Sequence, residues 1–482
     1  MRKVLLVVVV FLSLALLFAQ NDSLKLLLDQ LLYKSAAMNY LQRLTDLHGP
    51  RLAGSSSYHQ AALWMESEFR RLGLHNVHTE SFSIPVTWSR KSATAFMTQP
   101  YAKKLSILSD GWEPGLRLTE SPVVLIGKGS TDEFDHVKDK TRGAFLLFER
   151  PTLGELLTGK DPGTETRKFF ERAKASGAAA LLSIADKPFH LNDAGYSIFG
   201  QGVEGKLAPL PALNIPREEG LLLKRLLEGG AAVTLRVEVD NVVGKAAITE
   251  NVVAEIPGTT RASEVVIVGG HLDSWELGNG VLDNGAGAAA LLEIARAIQA
   301  LKLRPERTTR FIAFGAEEIG LLGSRAYVEK HKDEMDRIRA VLIMDTGADK
   351  VLGFYLQGRT DLEQTVSRFM SALKPALDLK QMEQQAFIGT DDFFYLLQGI
   401  PVLIEDQDLT RYEQIHHTAA DTLDKVNPQD YAQGIAALGG MVWQIANAPE
   451  GLGKRLTKDQ VRSLLRSNGL ENDVKTYGVY PQ

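Results

Sequence analysis

Five short segments of this 482-residue chain carry residue types that can hold a divalent cation and use it. His271-Leu-Asp273 follows the apolar run Val265–Val268, and Asp283 comes twelve residues after His271 in Gly280-Val-Leu-Asp-Asn284. Glu317 and Glu318 follow Thr309–Phe314, Asp345 follows Ala340–Met344, and His416-His417 stand four to five residues ahead of Asp421 in a late loop. Taken singly, each reads as a capping group or the start of a solvated helix. Taken together they suit two zinc-like ions, each held by imidazole and carboxylate with one carboxylate between them. The chain has no cysteine, so thiolate ligands, disulfides and a cysteine nucleophile are excluded. Carboxylates gathered at one place without cations repel one another and lose solvation, and a metal relieves both. A pair of cations activates a shared water and polarises a carbonyl. An adjacent acid that binds no metal can move the proton. His416 or His417 fills one ligand position, and Asp345 or Asp349 another.

These segments sit just beyond buried-looking strands, where open α/β sheets place their ligands. Strands at Val265–Val268, Thr309–Phe314, Ala340–Met344 and Pro401–Ile404 alternate with helices near Ala288–Leu303, Leu321–Lys332, Leu362–Leu373 and Tyr431–Ala448. That rhythm predicts an α/β fold, a doubly wound mixed sheet with helices on both faces. The texture changes near Pro122 to short strands and loops and returns to strand–helix alternation near Asn251. The expected organisation is therefore a catalytic domain begun by residues 20–117, an inserted α+β module over 118–245, the rest of the catalytic domain over 246–450, and a charged tail over 451–482. Arg2-Lys3, the apolar stretch Val4–Phe18 and Ala19 have the plan of a secretory signal peptide, residues 1–19. The stretch is shorter than the roughly 20 residues that span a bilayer. The expectation is an exported protein, periplasmic or secreted, with a retained anchor as the alternative. A net charge of −5 offers no basic footprint for nucleic acid.

The motifs His271-x-Asp273, Asp283-Asn284 before Gly285-Ala-Gly287, Ala316-Glu317-Glu318 with Gly320, and His417-Thr-x-x-Asp421-Thr422 resemble those of the co-catalytic zinc aminopeptidase family. Gly49-Pro-Arg-Leu-x-Gly54, Gly270-His-Leu-Asp-Ser-Trp275, Arg304-Pro-x-Arg307-Thr308, Gly389-Thr-Asp391 and Gly399-Ile-Pro401 narrow the likeness to its carboxypeptidase Q-like branch. The likeness runs over roughly residues 39–448, and the inserted module resembles a protease-associated domain. The resemblance implies two zinc ions, one on His271 and Asp345, the other on Glu318 and His417, with Asp283 bridging and Glu317 as general base. Asp273 is expected to orient His271 through its second ring nitrogen, and Asp421 keeps a fixed spacing to His417. The implied activity is exopeptidase cleavage of dipeptides or short peptides, with a general aminopeptidase as the alternative. Asp391 and Asp392 are candidates for binding a free amino terminus. No stable membrane partner is implied once the leader is removed, and a homodimer is left open.

Two other classes are weaker. Gly285-Ala-Gly-Ala-Ala-Ala290 spells the glycine fingerprint of an NAD-dependent oxidoreductase, but that fingerprint should follow a strand directly. No G-x-S-x-G elbow marks a serine hydrolase. A non-catalytic binding protein on the same fold would be expected to have lost ligands, and all five positions are filled.

Overall fold

Strand Arg261–His271 is apolar on both faces, with Val265, Val266, Ile267 and Val268 all at or near zero exposure. That pattern belongs to a strand covered by helices on both sides. In the computed structural model, which describes residues 22–149, 162–189 and 205–481, it lies inside an eight-stranded mixed sheet. The order is His75–Ile84, Ala247–Ile256, Arg307–Phe314, Arg261–His271, Ile338–Ile343, Val402–Gln407, Val351–Tyr355 and Gln381–Glu383. The four central strands run parallel, so their carboxyl ends open on one edge. The first two strands and Val351–Tyr355 bring in the antiparallel pairings.

Helices cover both faces. On one, the alanine-rich helix Ala286–Ala300 packs with Ala37–His48, Ser56–Arg71 and Pro428–Asn447. Alanine is the strongest helix former and lets helix and sheet approach closely. Gly287 shows how close: a Cβ there would stand 2.4 Å from the Met344 carbonyl oxygen. The Gly285-Ala-Gly287 spelling thus serves the packing of a helix start against the strand ends. The other face is covered by Leu322–Lys330, Phe393–Leu397 and Lys458–Ser467 around Tyr327, Tyr395 and Leu464. The tail is more ordered than its charge suggested. Helices Lys458–Ser467 and Glu471–Thr476 bury Val461, Leu465 and Val474 against Phe393 and Leu397.

A second eight-stranded sheet has its own cores, on Phe145, Leu182, Leu213 and Leu235 on one face and Phe134, Leu146 and Phe170 on the other. It begins upstream of the residue-118 boundary, because Trp88–Gln99 pairs antiparallel with Thr234–Val243. Its solvent side alternates polar residues, so no apolar run announced it. The chain leaves and re-enters the first sheet side by side, with Gly244 N–H donating to Thr87 O (2.7 Å) and Thr87 N–H to Lys245 O (3.1 Å). The expected leader, residues 1–19, lies outside the described residues. No helix among the described residues is long and apolar enough to cross a membrane.

Candidate metal centre

Three of the four parallel strands lead into residues singled out above, and Asp283 at the start of helix Ala286–Ala300 and His416-His417 of one later loop join them. His271 is the last residue of its strand and is 1% exposed. Its Nε2 lies 3.1 Å from Asp345 Oδ1 and 3.2 Å from Asp283 Oδ1. On the other side of Asp283, His417 Nε2 is 3.1 Å and His416 Nε2 3.3 Å from Oδ2, and His417 Nε2 is also 3.0 Å from Glu318 Oε2. Two groups with metal-ligand geometry result, His271–Asp283–Asp345 and Asp283–His416–His417, and Asp283 belongs to both. Asp283 Oδ2 accepts no hydrogen bond among the described residues. A buried carboxylate oxygen facing two imidazole nitrogens fits a cation held between them.

The electrostatics of the metal-free cluster agree. Burial raises Glu318 and Glu317, and neighbouring acids, Asp283 for the first and Asp345 for the second, add to it. Burial likewise raises Asp345, against the pull of His271. His271 and His417, despite burial, are held above the ordinary histidine range by these carboxylates, while Asp283, which burial by itself would raise, is held low by His271 and His417. Burial and the adjacent His417 push His416 below the ordinary histidine range.

Between the two His416/His417 alternatives, only His417 touches Glu318; the rings stack with centroids 3.6 Å apart. Asp349 is not at the cluster and pairs instead with Arg411 at 3.2 Å. Glu317 stands beside the ligands, its Oε2 4.0 Å from His271 Nε2. Asp273 differs from expectation in detail: its main-chain carbonyl is the nearer acceptor of His271 Nδ1, at 3.0 Å against 3.5 Å for the carboxylate. Its carboxylate instead receives the amides of Glu317 (3.2 Å) and Glu318 (3.3 Å). Asp421 does the same for Leu282 (2.7 Å) and Asp283 (3.1 Å). Asp391 and Asp392 are both 0% exposed, and Asp392 is engaged by Gln357 and Thr390. Neither offers an accessible oxygen to a substrate amine.

Residues outside the sequence motifs also reach the cluster. Trp275 packs edge-on against His417 and against Trp112, which stacks on Trp88. Lys187 of the second module donates to the His416 carbonyl. Arg51, buried beneath the ligand loops, came into the sequence reading only within Gly49-Pro-Arg-Leu-x-Gly54, with no role of its own.

A family model described as peptidase family M28 matches residues 251–438. Carboxypeptidase Q of Mus musculus is 30% identical over 423 residues, covering 87% of both chains. A peptidase M28 precursor from Shewanella amazonensis SB2B superposes with a TM-score of 0.79 at 26% identity, over 91% of this chain and 99% of that one. BSAP, described as a zinc aminopeptidase from Bacillus subtilis, shares the fold at TM-score 0.65 and 20% identity, over 87% of this chain and 98% of that one.

Proposed function

The chain belongs to peptidase family M28, and from that premise we propose that it is a two-zinc exopeptidase acting on dipeptides and short peptides with free termini. The observation that carries this reading is the pair of ligand groups sharing Asp283, with Glu317 outside both and its Oε2 4.0 Å from His271 Nε2. His271 and Asp345 would hold one ion, Glu318 and His417 the other, and Asp283 both; imidazole and carboxylate donors without thiolate suit zinc. When bound, the ions supply Lewis acidity toward the scissile carbonyl and lower the pKa of water at the site.

The rest belongs to the chain's own residues. Glu317 takes a proton from the attacking water and delivers it to the amide nitrogen as the C–N bond breaks. Asp273 fixes where Glu317 and Glu318 start, because both of their amides end on its carboxylate. Asp421 fixes the turn that presents Asp283. The second module, brought to the edge of the cluster by Lys187 and Trp112, limits the length of peptide that can enter. Removal of residues 1–19 during export completes the reading.

Mass-spectrometric product analysis with zinc supplied tests it. Hydrolysis of free dipeptides, with N-blocked and C-amidated forms resisting, is the expected result. Ready cleavage of C-amidated peptides would identify a general aminopeptidase. Absence of hydrolysis by the zinc-loaded protein would identify a binding protein.

A further inference from the structure

We infer that Arg51 is a positioning residue of the metal centre, setting its metal affinity from beneath the ligand loops without touching metal or substrate. Arg51 is 0% exposed. Its guanidinium directs four hydrogen bonds at main-chain carbonyls: Nε to Leu272 (2.9 Å), Nη1 to Gly49 and Asn279 (2.8 Å each), and Nη2 to Gly280 (2.9 Å). Leu272 adjoins the ligand His271, and Asn279-Gly280 opens the turn that delivers Asp283. The backbone of Arg51 grips the same loop: its N–H donates to Ser274 Oγ (3.1 Å), and Ser274 N–H donates to its carbonyl (3.3 Å). Gly280 is in the left-handed region, and a Cβ there would stand 2.2 Å from Ser274 Cβ. The two loops are thus locked against each other on Arg51.

This completes a division of labour. The amides of the ligand loops are gathered by two carboxylates, Asp273 and Asp421. Carbonyls of the His271 and Asp283 loops are gathered by one guanidinium. A planar fork with five fixed donors can hold several carbonyls in one geometry, whereas an ammonium acts as a point charge. The cation also answers the acids. Burial brings Arg51 down to about 10, against the pull of Asp421, Asp273, Glu318 and Asp283, so its charge lies within the field of two proposed ligands and both carboxylate pegs. A buried charge with such partners is costly to remove, because what it leaves behind is unpaired.

The inference rests on the two-zinc reading. Its test is titration of the metal-free protein with zinc against a chromophoric chelator, with the visible spectrum of the cobalt(II)-loaded protein recorded beside it. Wild type, Arg51→Lys and Arg51→Gln are compared. Arg51→Lys keeps the charge and loses the fork; Arg51→Gln keeps two donors and loses the charge. The expected result is zinc affinity weakened about 10–100-fold in Arg51→Lys, the range for residues that orient ligands, with an altered cobalt spectrum. At saturating zinc, kcat falls while KM holds, since Arg51 does not meet substrate. A folded Arg51→Lys with wild-type affinity and spectrum would overturn the inference. Where Arg51→Lys does not fold, the same titration of Arg51→Gln decides. Wild-type protein binding no zinc would instead remove the two-zinc reading itself.

Discussion

Glu317 and Glu318 are neighbours whose amides hang on one carboxylate, yet their side chains have different surroundings. Glu318 reaches His417 at 3.0 Å, while Glu317 comes no nearer to His271 Nε2 than 4.0 Å. Glu317→Gln preserves shape and leaves the ligands in place, so both metals and near-wild-type stability are expected. Activity should fall about 10²–10⁴-fold, the worth of general-base catalysis. Glu318→Gln should weaken one zinc and Asp283→Asn both. Metal stoichiometry and turnover, measured on all three variants, check this; a Glu317→Gln protein with wild-type turnover, or one restored by added zinc, would contradict the assignment. The ligand residue types were legible because each stands in a short motif, His271, Glu318 and Asp345 at or just past strand ends and Asp283 and His417 in loops. The role of Arg51 was not, because its partners are backbone carbonyls, most of them more than two hundred positions away, and a carbonyl leaves no signature in the sequence.

The elements that position the site were readable for a physical reason. Runs such as Val265–Val268 and Thr309–Phe314 are buried on both faces and must be continuously apolar. Trp88–Gln99, wet on one face and paired with a strand more than a hundred residues later, carries no such run. Strand His75–Ile84, at the edge of the first sheet, is fastened by a different means. Glu80, 5% exposed, accepts from His331 Nε2 at 2.9 Å and lies 3.1 Å from His78 Nε2 and 3.2 Å from Lys330 Nζ. Although burial raises it, the hydrogen bonds from His331 and His78 bring Glu80 down to about 2, and the bond to Glu80 lifts His331 above its ordinary value. The carboxylate's contribution is present above about pH 4.5 and lost as pH falls toward 2. The imidazolium's contribution is present below about pH 6.5 and lost as pH rises through its raised value. Glu80→Gln is therefore expected to cost about 1–3 kcal/mol near pH 5.5. In urea unfolding the gap to wild type should narrow as pH rises through the raised His331 value, and again toward pH 3.5. A gap independent of pH would contradict this.

At the scale of the whole molecule, the seam between the two sheets is what connects the second module to the chemistry. Trp88, Trp112 and Trp275 form one buried cluster with Leu52, Ile84 and Ile319, and Trp275 continues it to His417. Arg90 of the second sheet pairs with Glu276, next to Trp275, so charge and aromatic packing meet at the same loop. This seam was hidden in the sequence, since its tryptophans are far apart and follow no period. The proposed ligands, by contrast, all lie at the strand ends and loops of the first sheet. The most direct measurement of the central claim is stepwise zinc titration of the metal-free protein, with bound zinc and dipeptide hydrolysis read in the same samples. The expected result is no hydrolysis without metal and binding that saturates at two zinc per chain, with turnover rising as the sites fill. Full hydrolysis by the metal-free protein, or activity complete without any bound zinc, would contradict it.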